Sequence, residues 1–550
     1  MIVTPYREDP FLSPHHIHSF DEFFALIRAE LNAATHNVCV KAHPSSLHSA
    51  NVHTPQQFLS LSIPLDGVDP LIALQTFASP QQLHFYWENG KTGEAIAALG
   101  CAAQVHLSGP RRFETSKQVV QQLFDHTLPI GNQQEPFGGP RVFCQFTFFD
   151  DVASDSWVSP AAIVLPQWHI VAHRTFGSFV ANIPLTKNNA LKAACLTTWE
   201  TLSRLRTLAG SSHRTLNRFT NHITRSWPYS RWNGGCPAST SSQPLRQRFT
   251  RQPRSHLPNP QQALRDSKHR SHPILPTLSK ADQARFTQTV QSVLDTIAHT
   301  SLNKAVLAHA LDVELDVMLD GPSSLQPLRH NHSDCYLFSS QTEQGQTFLC
   351  ASPEKLLSIQ SGYLTTEAIA GSAPRGKTAA EDARLAKTLL HNRKELHEHQ
   401  LVVNFISQRL ANIGLNPQRS FAPRLLPLST IQHLQTPIHA EVSPTLHPLD
   451  IVSALHPTPA VAGVPREMAC ELIQHYEPFE RSLYAAPMGW IDYQGNSEFL
   501  VGIRSALLNG NQARLYAGAG IVQGSNPQHE LDEIELKLRS LYNTLIRPNT

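Results

Sequence analysis

Apolar and polar positions fall into their most regular pattern after residue 278. A helix is predicted over residues 282–299. It leads into an alternating strand, Lys304-Ala-Val-Leu-Ala-His-Ala-Leu-Asp-Val-Glu-Leu315. Short strands follow at Cys335-Tyr-Leu-Phe-Ser and Thr347-Phe-Leu-Cys, then a hairpin over residues 356–367. Thr378-Ala-Ala-Glu381 is a capping box that opens a helical region running to Leu410, with Gly414 past its end. Three strands, residues 483–493, 498–508 and 514–522, form a closing meander. In the last helix Asn526 can cap, Pro527 suits the first position, and Leu531, Ile534, Leu538, Leu541 and Leu545 make one apolar face.

The first half is less regular. Residues 20–31 space their apolar positions as an amphipathic helix, whereas 83–90, 95–102, 141–149, 161–166 and 169–173 read as strands. No repeat of solenoid period appears. The prediction is an α+β fold with antiparallel β-sheets packed on each other and helices outside. Between the halves the composition turns to Pro, Ser, Gln and Arg. Nine basic residues (225, 231, 246, 248, 251, 254, 265, 268 and 270) face one acid, Asp266. Such a stretch can touch RNA or lipid, but a solvated insert is the reading kept. Three regions result: 1–225, 226–273 and 274–550.

Composition narrows the class. With 41% hydrophobic and 16% charged residues and a net charge of +2, the chain is globular and has no global field to recruit nucleic acid or acidic membranes. Its eight cysteines are scattered without a Cys-x-x-Cys, which predicts a reduced chain. The N-terminus shows no signal core, and no apolar run approaches the ~18 residues of a membrane span. A soluble, cytoplasmic protein is expected. Thirty histidines are many, and His15, His16 and His18 are the densest group; they read as solvated sequence rather than as a metal site.

Candidate chemistry centres on Leu515-Tyr-Ala-Gly-Ala-Gly-Ile-Val-Gln-Gly-Ser-Asn-Pro-Gln-His-Glu-Leu-Asp-Glu533-Ile-Glu-Leu-Lys537. Glycines at the end of a strand expose backbone N–H groups to an anion, and the helix beyond carries Glu530 and Glu533. Alone, Glu533 and Lys537 are an ordinary i, i+4 pair. A second acidic pair, Glu395 and Glu398, lies on a helix whose predicted buried face is Leu401, Val402, Phe405 and Leu410. One carboxylate from each helix, with an anionic substrate and waters, is a common way to bind Mg²⁺. Glu354 ends a strand, where it either faces a cleft or caps a turn. Lys304 starts a strand, where it either snorkels or serves, partly desolvated, as a base. Arg504 sits in an apolar stretch and needs an anionic partner. Strand alternation puts Arg504 and Tyr516 on one face only with an odd-length loop or a bulge. A three- or five-residue connection around Asn509-Gly510-Asn511 is therefore expected.

These motifs resemble those of the chorismate-utilising enzymes: isochorismate and salicylate synthases and the large subunits of anthranilate and aminodeoxychorismate synthases. The resemblance runs in order through Lys304-Ala-Val-Leu-Ala, Ala351-Ser-Pro-Glu-Lys-Leu, Thr366-Glu-Ala-Ile-Ala-Gly-Ser-Ala-Pro-Arg-Gly376, Lys394-Glu-Leu-His-Glu-His399, Leu455-His-Pro-Thr-Pro-Ala-Val-Ala-Gly463, Tyr484-Ala-Ala-Pro-Met-Gly-Trp490 and Ile503-Arg-Ser-Ala506. In the first half, Phe85-Tyr-Trp-Glu and Ala95-Ile-Ala-Ala-Leu-Gly are similar to the quinone-pathway branch.

The resemblance implies an anthranilate synthase large-subunit-like fold and a set of roles. Glu398 and Glu533 would hold Mg²⁺ against the ring carboxylate of chorismate, supported by Glu395 and Glu530. Arg504, Tyr516, Gly518 and Gly520 would hold the enolpyruvyl carboxylate. His456 and Ser372 would line the ring, and Lys537 would balance the acidic cluster. The branches that add ammonia usually carry glutamine at Lys304, whereas lysine can activate water for attack at C2, with Glu354 protonating the departing C4 hydroxyl. Burial is expected to lower the lysine from its ordinary pKa of about 10.4. His309 and Cys350 depart from the arginine and glycine usual in the family.

The expectation is a monomeric, Mg²⁺-dependent isochorismate synthase feeding menaquinone or phylloquinone synthesis. A salicylate synthase, which goes on to eliminate pyruvate, is the nearest rival, and an amine-adding synthase fits Lys304 less well. A non-catalytic binding protein acting through the basic insert is the rival from another class.

Overall fold

The computed structural model describes residues 17, 19–38, 57–132, 137–154, 156–173, 176–185, 188–223, 278–428 and 431–546. His15, His16, His18 and the 226–273 stretch lie outside the described residues, as do Cys39 and Cys236. Contacts divide the chain into two units, residues 213–276 and all the rest. The larger unit unites the two halves, because each of its sheets takes strands from both.

The first sheet has 12 strands. From one edge it runs Gly463–Val464, Lys304–Glu314, Gln512–Val522, Ser505–Asn509, Thr347–Ser352 and Tyr336–Gln341, then continues into strands of the first half, beginning with His84–Asn89. The second has 10 strands, with Ile431–Glu441, Tyr363–Pro374, Lys355–Gln360, Ser497–Val501 and Pro487–Asp492 adjoining Arg141–Phe146. Pairing among the described residues is antiparallel except between Phe58–Pro64 and Thr127–Gly131.

An aromatic layer separates the sheets. Phe85 stacks on Phe143 at 5.0 Å, and Trp87 meets Trp490 edge-on at 6.2 Å. Each such buried ring contributes roughly 1.5–3 kcal/mol of transfer free energy. The second sheet's other face carries a larger apolar cluster, covered by helices including Arg112–Asp125, Arg393–Asn412 and Pro448–Leu455.

Sequence and structure part at several places that bear on the site. The apolar run 498–508 is not one strand. Ser497–Val501 belongs to the second sheet and Ser505–Asn509 to the first, with Gly502-Ile503-Arg504 crossing between them. A Cβ at Gly502 would come within 2.4 Å of Met488 and 2.6 Å of the Leu483 carbonyl, so only glycine passes there. Pro353-Glu354 makes the same crossing in the opposite direction, between Thr347–Ser352 and Lys355–Gln360. The crossings lie side by side. Val501 N donates to Glu354 O and Ala351 N to Arg504 O, each at 3.1 Å, and Ser352 Oγ donates to Val501 O at 2.6 Å.

The connection near Asn509 is also corrected. Asn509 pairs with Gln512, which leaves a two-residue turn with Gly510 at φ 65°, as tight hairpins favour. Ser505, not Arg504, stands opposite Tyr516. Arg504 lies outside the strand at φ 51°, so strand alternation does not govern its direction. Helix 378–410 divides into Ala379–His391 and Arg393–Asn412, because Asn392 ends the first and caps the second by accepting from Lys394 N and Glu395 N. The second helix buries His399, Val402, Val403, Ile406 and Leu410, a face rotated from the predicted one. Phe405 lies instead beside the guanidinium groups of Arg409 and Arg466.

Candidate active site

The two crossings contribute Pro353, Glu354, Ile503 and Arg504 to the wall of an open cleft. Among the described residues five non-glycines take positive φ; of these, Arg504 lines the cleft and Ala485 follows its lining residue Tyr484. Such backbone conformations cost about 1–3 kcal/mol each and cluster at functional sites.

Lys304 enters from the start of its strand, opposite Val522 and Val464. Its side chain is 1% exposed, and Nζ lies 2.8 Å from Glu398 Oε1 on the neighbouring helix. The expected burial is present, and with it a carboxylate partner that the sequence did not show. Only Oε1 takes the lysine, which leaves the second carboxylate oxygen for other partners.

The glycines opposite have a task that the sequence did not show. Gly518 and Gly520 do not end a strand; they lie within Gln512–Val522, paired with Ala308 and Val306. A Cβ on Gly520 would sit 2.9 Å from Glu398 Oε1 and 3.2 Å from Lys304 Cε, and one on Gly518 would sit 2.6 Å from the Tyr484 hydroxyl. Both glycines therefore make room for side chains. The strand Ser505–Asn509 covers this edge only as far as Tyr516, and beyond it the Gly518 carbonyl accepts from Lys537 Nζ at 2.7 Å. Lys537 also pairs with Glu533 at 2.7 Å, which ties the closing helix to the sheet.

Glu354 projects from the other crossing and is buried. Burial, reinforced by the charge of Glu367, pushes its carboxyl up to about 7, against the opposing pull of Lys304 and a long 3.5 Å hydrogen bond from Thr458 Oγ1. A carboxylic acid so placed can still donate a proton near neutral pH.

Arg504 is half-buried and has no carboxylate in ion-pair range among the described residues; its nearest hydrogen-bond acceptor is Cys335 Sγ at 3.7 Å. Together with burial, which is the larger effect, its charge holds His433 down at about 3 and His332 at about 4. This cation is available to an anion. Tyr516 lines the same cleft and stacks on Tyr484 at 5.2 Å.

Four carboxylates occupy the opposite side. Glu398 and Glu533 line the cleft, whereas Glu395 and Glu530 lie behind them. Glu395 accepts from Ser372 N at 2.9 Å, and Glu530 lies 3.3 Å from Lys394 Nζ. Burial raises both, and the neighbouring carboxylates add to the rise. Among the described residues no three His, Cys, Asp or Glu side chains form a ready ligand set. Two carboxylates facing one cleft do suit a hard cation whose remaining oxygens come from water and substrate.

Of the two residues expected to line the ring, Ser372 lines the cleft and His456 does not. His456 Nε2 is hydrogen-bonded to the Phe148 carbonyl at 3.0 Å, and its ring packs edge-on against Phe148 behind the wall. His433 takes the lining position. Its Nδ1 is 2.9 Å from Ser372 Oγ, and its buried Nε2 has no partner. The only sequence signal for it was Gly371, which bulges the adjoining strand and brings Ser372 opposite His433. Tyr484 and Thr458 were likewise inside quoted motifs without being singled out. His309 and Cys350 lie outside the lining.

A two-sheet α+β sandwich that brings a buried lysine, a carboxyl group that keeps its proton to about 7, and a guanidinium with no carboxylate in range among the described residues to one cleft is suited to an anionic ligand. The sequence model described as chorismate binding enzyme matches residues 45–237 and 233–546, and the chain belongs to that family. It is 35% identical over 284 residues to the isochorismate synthase MenF of Bacillus subtilis, covering 51% of this chain and 59% of that one. It is 44% identical over 221 residues to the salicylate biosynthesis isochorismate synthase of Pseudomonas aeruginosa, covering 40% and 46%. These matches span about half the length of each relative.

The fold is similar to that of MenF, the menaquinone-specific isochorismate synthase of Escherichia coli. The TM-score is 0.63 at 23% identity, over 95% of this chain and 100% of that one. Anthranilate synthase component I of Streptococcus pneumoniae aligns with a TM-score of 0.53 at 18% identity, over 92% and 96%. The expected anthranilate synthase-like architecture is thus present.

Proposed function

We propose that this protein is an isochorismate synthase, converting chorismate to isochorismate by adding water at C2 and losing the C4 hydroxyl. The observation that carries the reading is the presence in one cleft of buried Lys304 and of Glu354, whose carboxyl keeps its proton to about 7. Lys304 takes a proton from water as its oxygen bonds to C2. The ring double bond shifts, the C4–O bond breaks, and Glu354 gives the leaving hydroxyl its proton. Water enters and water leaves, so the net change is an isomerisation.

Arg504 and Tyr516, with the backbone of Gly518 and Gly520, would receive the enolpyruvyl carboxylate, and Ser372 would face the ring. Glu398 and Glu533 would hold Mg²⁺, which when bound neutralises the ring carboxylate, with Glu395, Glu530 and Lys537 setting the charge around them. A cytoplasmic, monomeric enzyme supplying menaquinone or phylloquinone synthesis fits this reading. Among the described residues no helix is long and apolar enough to cross a membrane.

Purified protein incubated with chorismate and Mg²⁺ tests the proposal. Isochorismate is the expected product, and no conversion would overturn the assignment. Salicylate with pyruvate would support a salicylate synthase, and an ammonia-dependent product an amine-adding one.

A further inference from the structure

On one edge, the strand that carries Lys304 runs out of strand partners after two residues, because Gly463–Val464 pairs only with Lys304 and Ala305. An ion pair completes that edge. Glu477 Oε1 accepts from Ala308 N at 2.8 Å, while Arg481 Nη2 donates to Val306 O at 2.8 Å and Nη1 to Val461 O at 2.7 Å. Arg481 also grips Glu477 through Nε at 2.8 Å and Nη2 at 2.6 Å, with side chains 1% and 3% exposed. Its guanidinium carbon lies 5.6 Å from the centre of the Tyr484 ring, and its carbonyl accepts from Tyr484 N at 2.8 Å.

Val306, Val461 and Tyr484 all line the cleft. Arg481 therefore contacts three wall residues, Val306 and Val461 through hydrogen bonds of its guanidinium and nearby Tyr484 through its carbonyl and the ring contact. One of the segments they belong to carries the proposed base, and a second touches the proposed acid. Lys304 lies two residues before Val306. Thr458, whose carbonyl accepts from Val461 N at 3.1 Å and Ala462 N at 2.9 Å, reaches Glu354 through its hydroxyl at 3.5 Å. Val306 N closes the loop by donating to Ala462 O at 2.7 Å. A buried ion pair repays its desolvation only through well-formed bonds, and here those bonds go to the backbone of the wall.

We infer that Glu477–Arg481 is a positioning pair. It fixes the spacing between the strand of Lys304 and the loop whose Thr458 holds Glu354, and so aligns base with acid. The inference rests on the roles proposed above for Lys304 and Glu354.

Three variants test it: Arg481→Lys, Arg481→Met, and Glu477→Gln combined with Arg481→Met, which leaves no unpaired charge buried. With chorismate as the probe and rates counted per folded protein, the double variant is expected to lose about 100-fold in kcat with KM within about threefold, the signature of misplacement rather than lost binding. Arg481→Lys should recover about tenfold of that loss. Hydrogen exchange, read without substrate, should quicken together at residues 304–308 and 458–462 in the double variant. A double variant with wild-type kcat, losses confined to melting temperature, or exchange changes confined to 477–481 would overturn the inference. If the wild type leaves chorismate untouched, the reaction assignment fails, and the exchange measurement alone then decides whether the pair couples the two segments.

Discussion

Two regions of the molecule bury carboxylic acids in much the same way and do different things with them. Glu354, at the crossing, is held up to about 7 by burial and by the charge of Glu367. Glu498, in the layer between the sheets, is held up to about 8 by burial and by the charge of Glu94. The second is closed in by the Tyr336 hydroxyl, which donates to it at 2.9 Å. The arginines differ as well. Arg141 is fully buried over the Trp490 ring at 4.6 Å, with Asp492 at 4.0 Å, whereas Arg504 opens onto the cleft with no carboxylate in range among the described residues. A shifted carboxyl therefore does not by itself mark a site. Access to a cleft, a lysine partner across it and an unclaimed cation do so together.

The largest effect expected is at the base. Lys304→Gln should lower water addition by about 10²–10⁴-fold, the range of general base catalysis, measured as isochorismate formed per folded protein. A variant that keeps full water-adding activity would remove Lys304 from the mechanism. The two acids can be set against each other next. Glu354→Gln should cost about 10²–10⁴-fold in kcat, while Glu498→Gln should stay within about twofold of wild type. Equal losses would mean that the sealed layer takes part in the chemistry.

If Arg504 binds the substrate carboxylate as proposed, Arg504→Met removes a charge-assisted bond worth about 1.5–3 kcal/mol, and KM should rise roughly 10- to 150-fold while the fold persists. An unchanged KM would place the carboxylate elsewhere. The smallest effect is on stability. Glu94, Glu354 and Glu498 keep their protons in the folded state to about 7, 7 and 8, against an ordinary value of 4.5. The folded state thus binds more protons than the unfolded one between those limits. Their contribution is complete below 4.5 and is lost as pH rises through 7 to 8. The melting temperature should fall across that window, and Glu498→Gln should flatten the fall. A rise instead would contradict the direction of the shifts.

Much of this was legible in the residues. Asn526 caps the last helix through Gln528 N and His529 N, and the five leucine and isoleucine positions predicted on its inner face are all buried. The carboxylates Glu398 and Glu533, paired by the family resemblance, both line one cleft. Periodicity could not show the crossing at Gly502-Ile503-Arg504, since an apolar run looks the same whether it stays in one sheet or changes sheets. It also could not separate His456 from His433. Both are buried, and only tertiary packing puts one behind the wall and the other on it. The partner of Lys304 lies 94 positions away, across a helix that sequence spacing does not orient.

The paired crossings also give the aromatic layer a second role. Glu354 and Arg504 each hang from a segment that bridges the full gap between the sheets, so the width of that gap sets their reach into the cleft. Trp87, Trp490, Phe85 and Phe143, none of which touches the cleft, act as spacers for it. The placement of Glu354 and Arg504 accordingly depends on the thickness of the core.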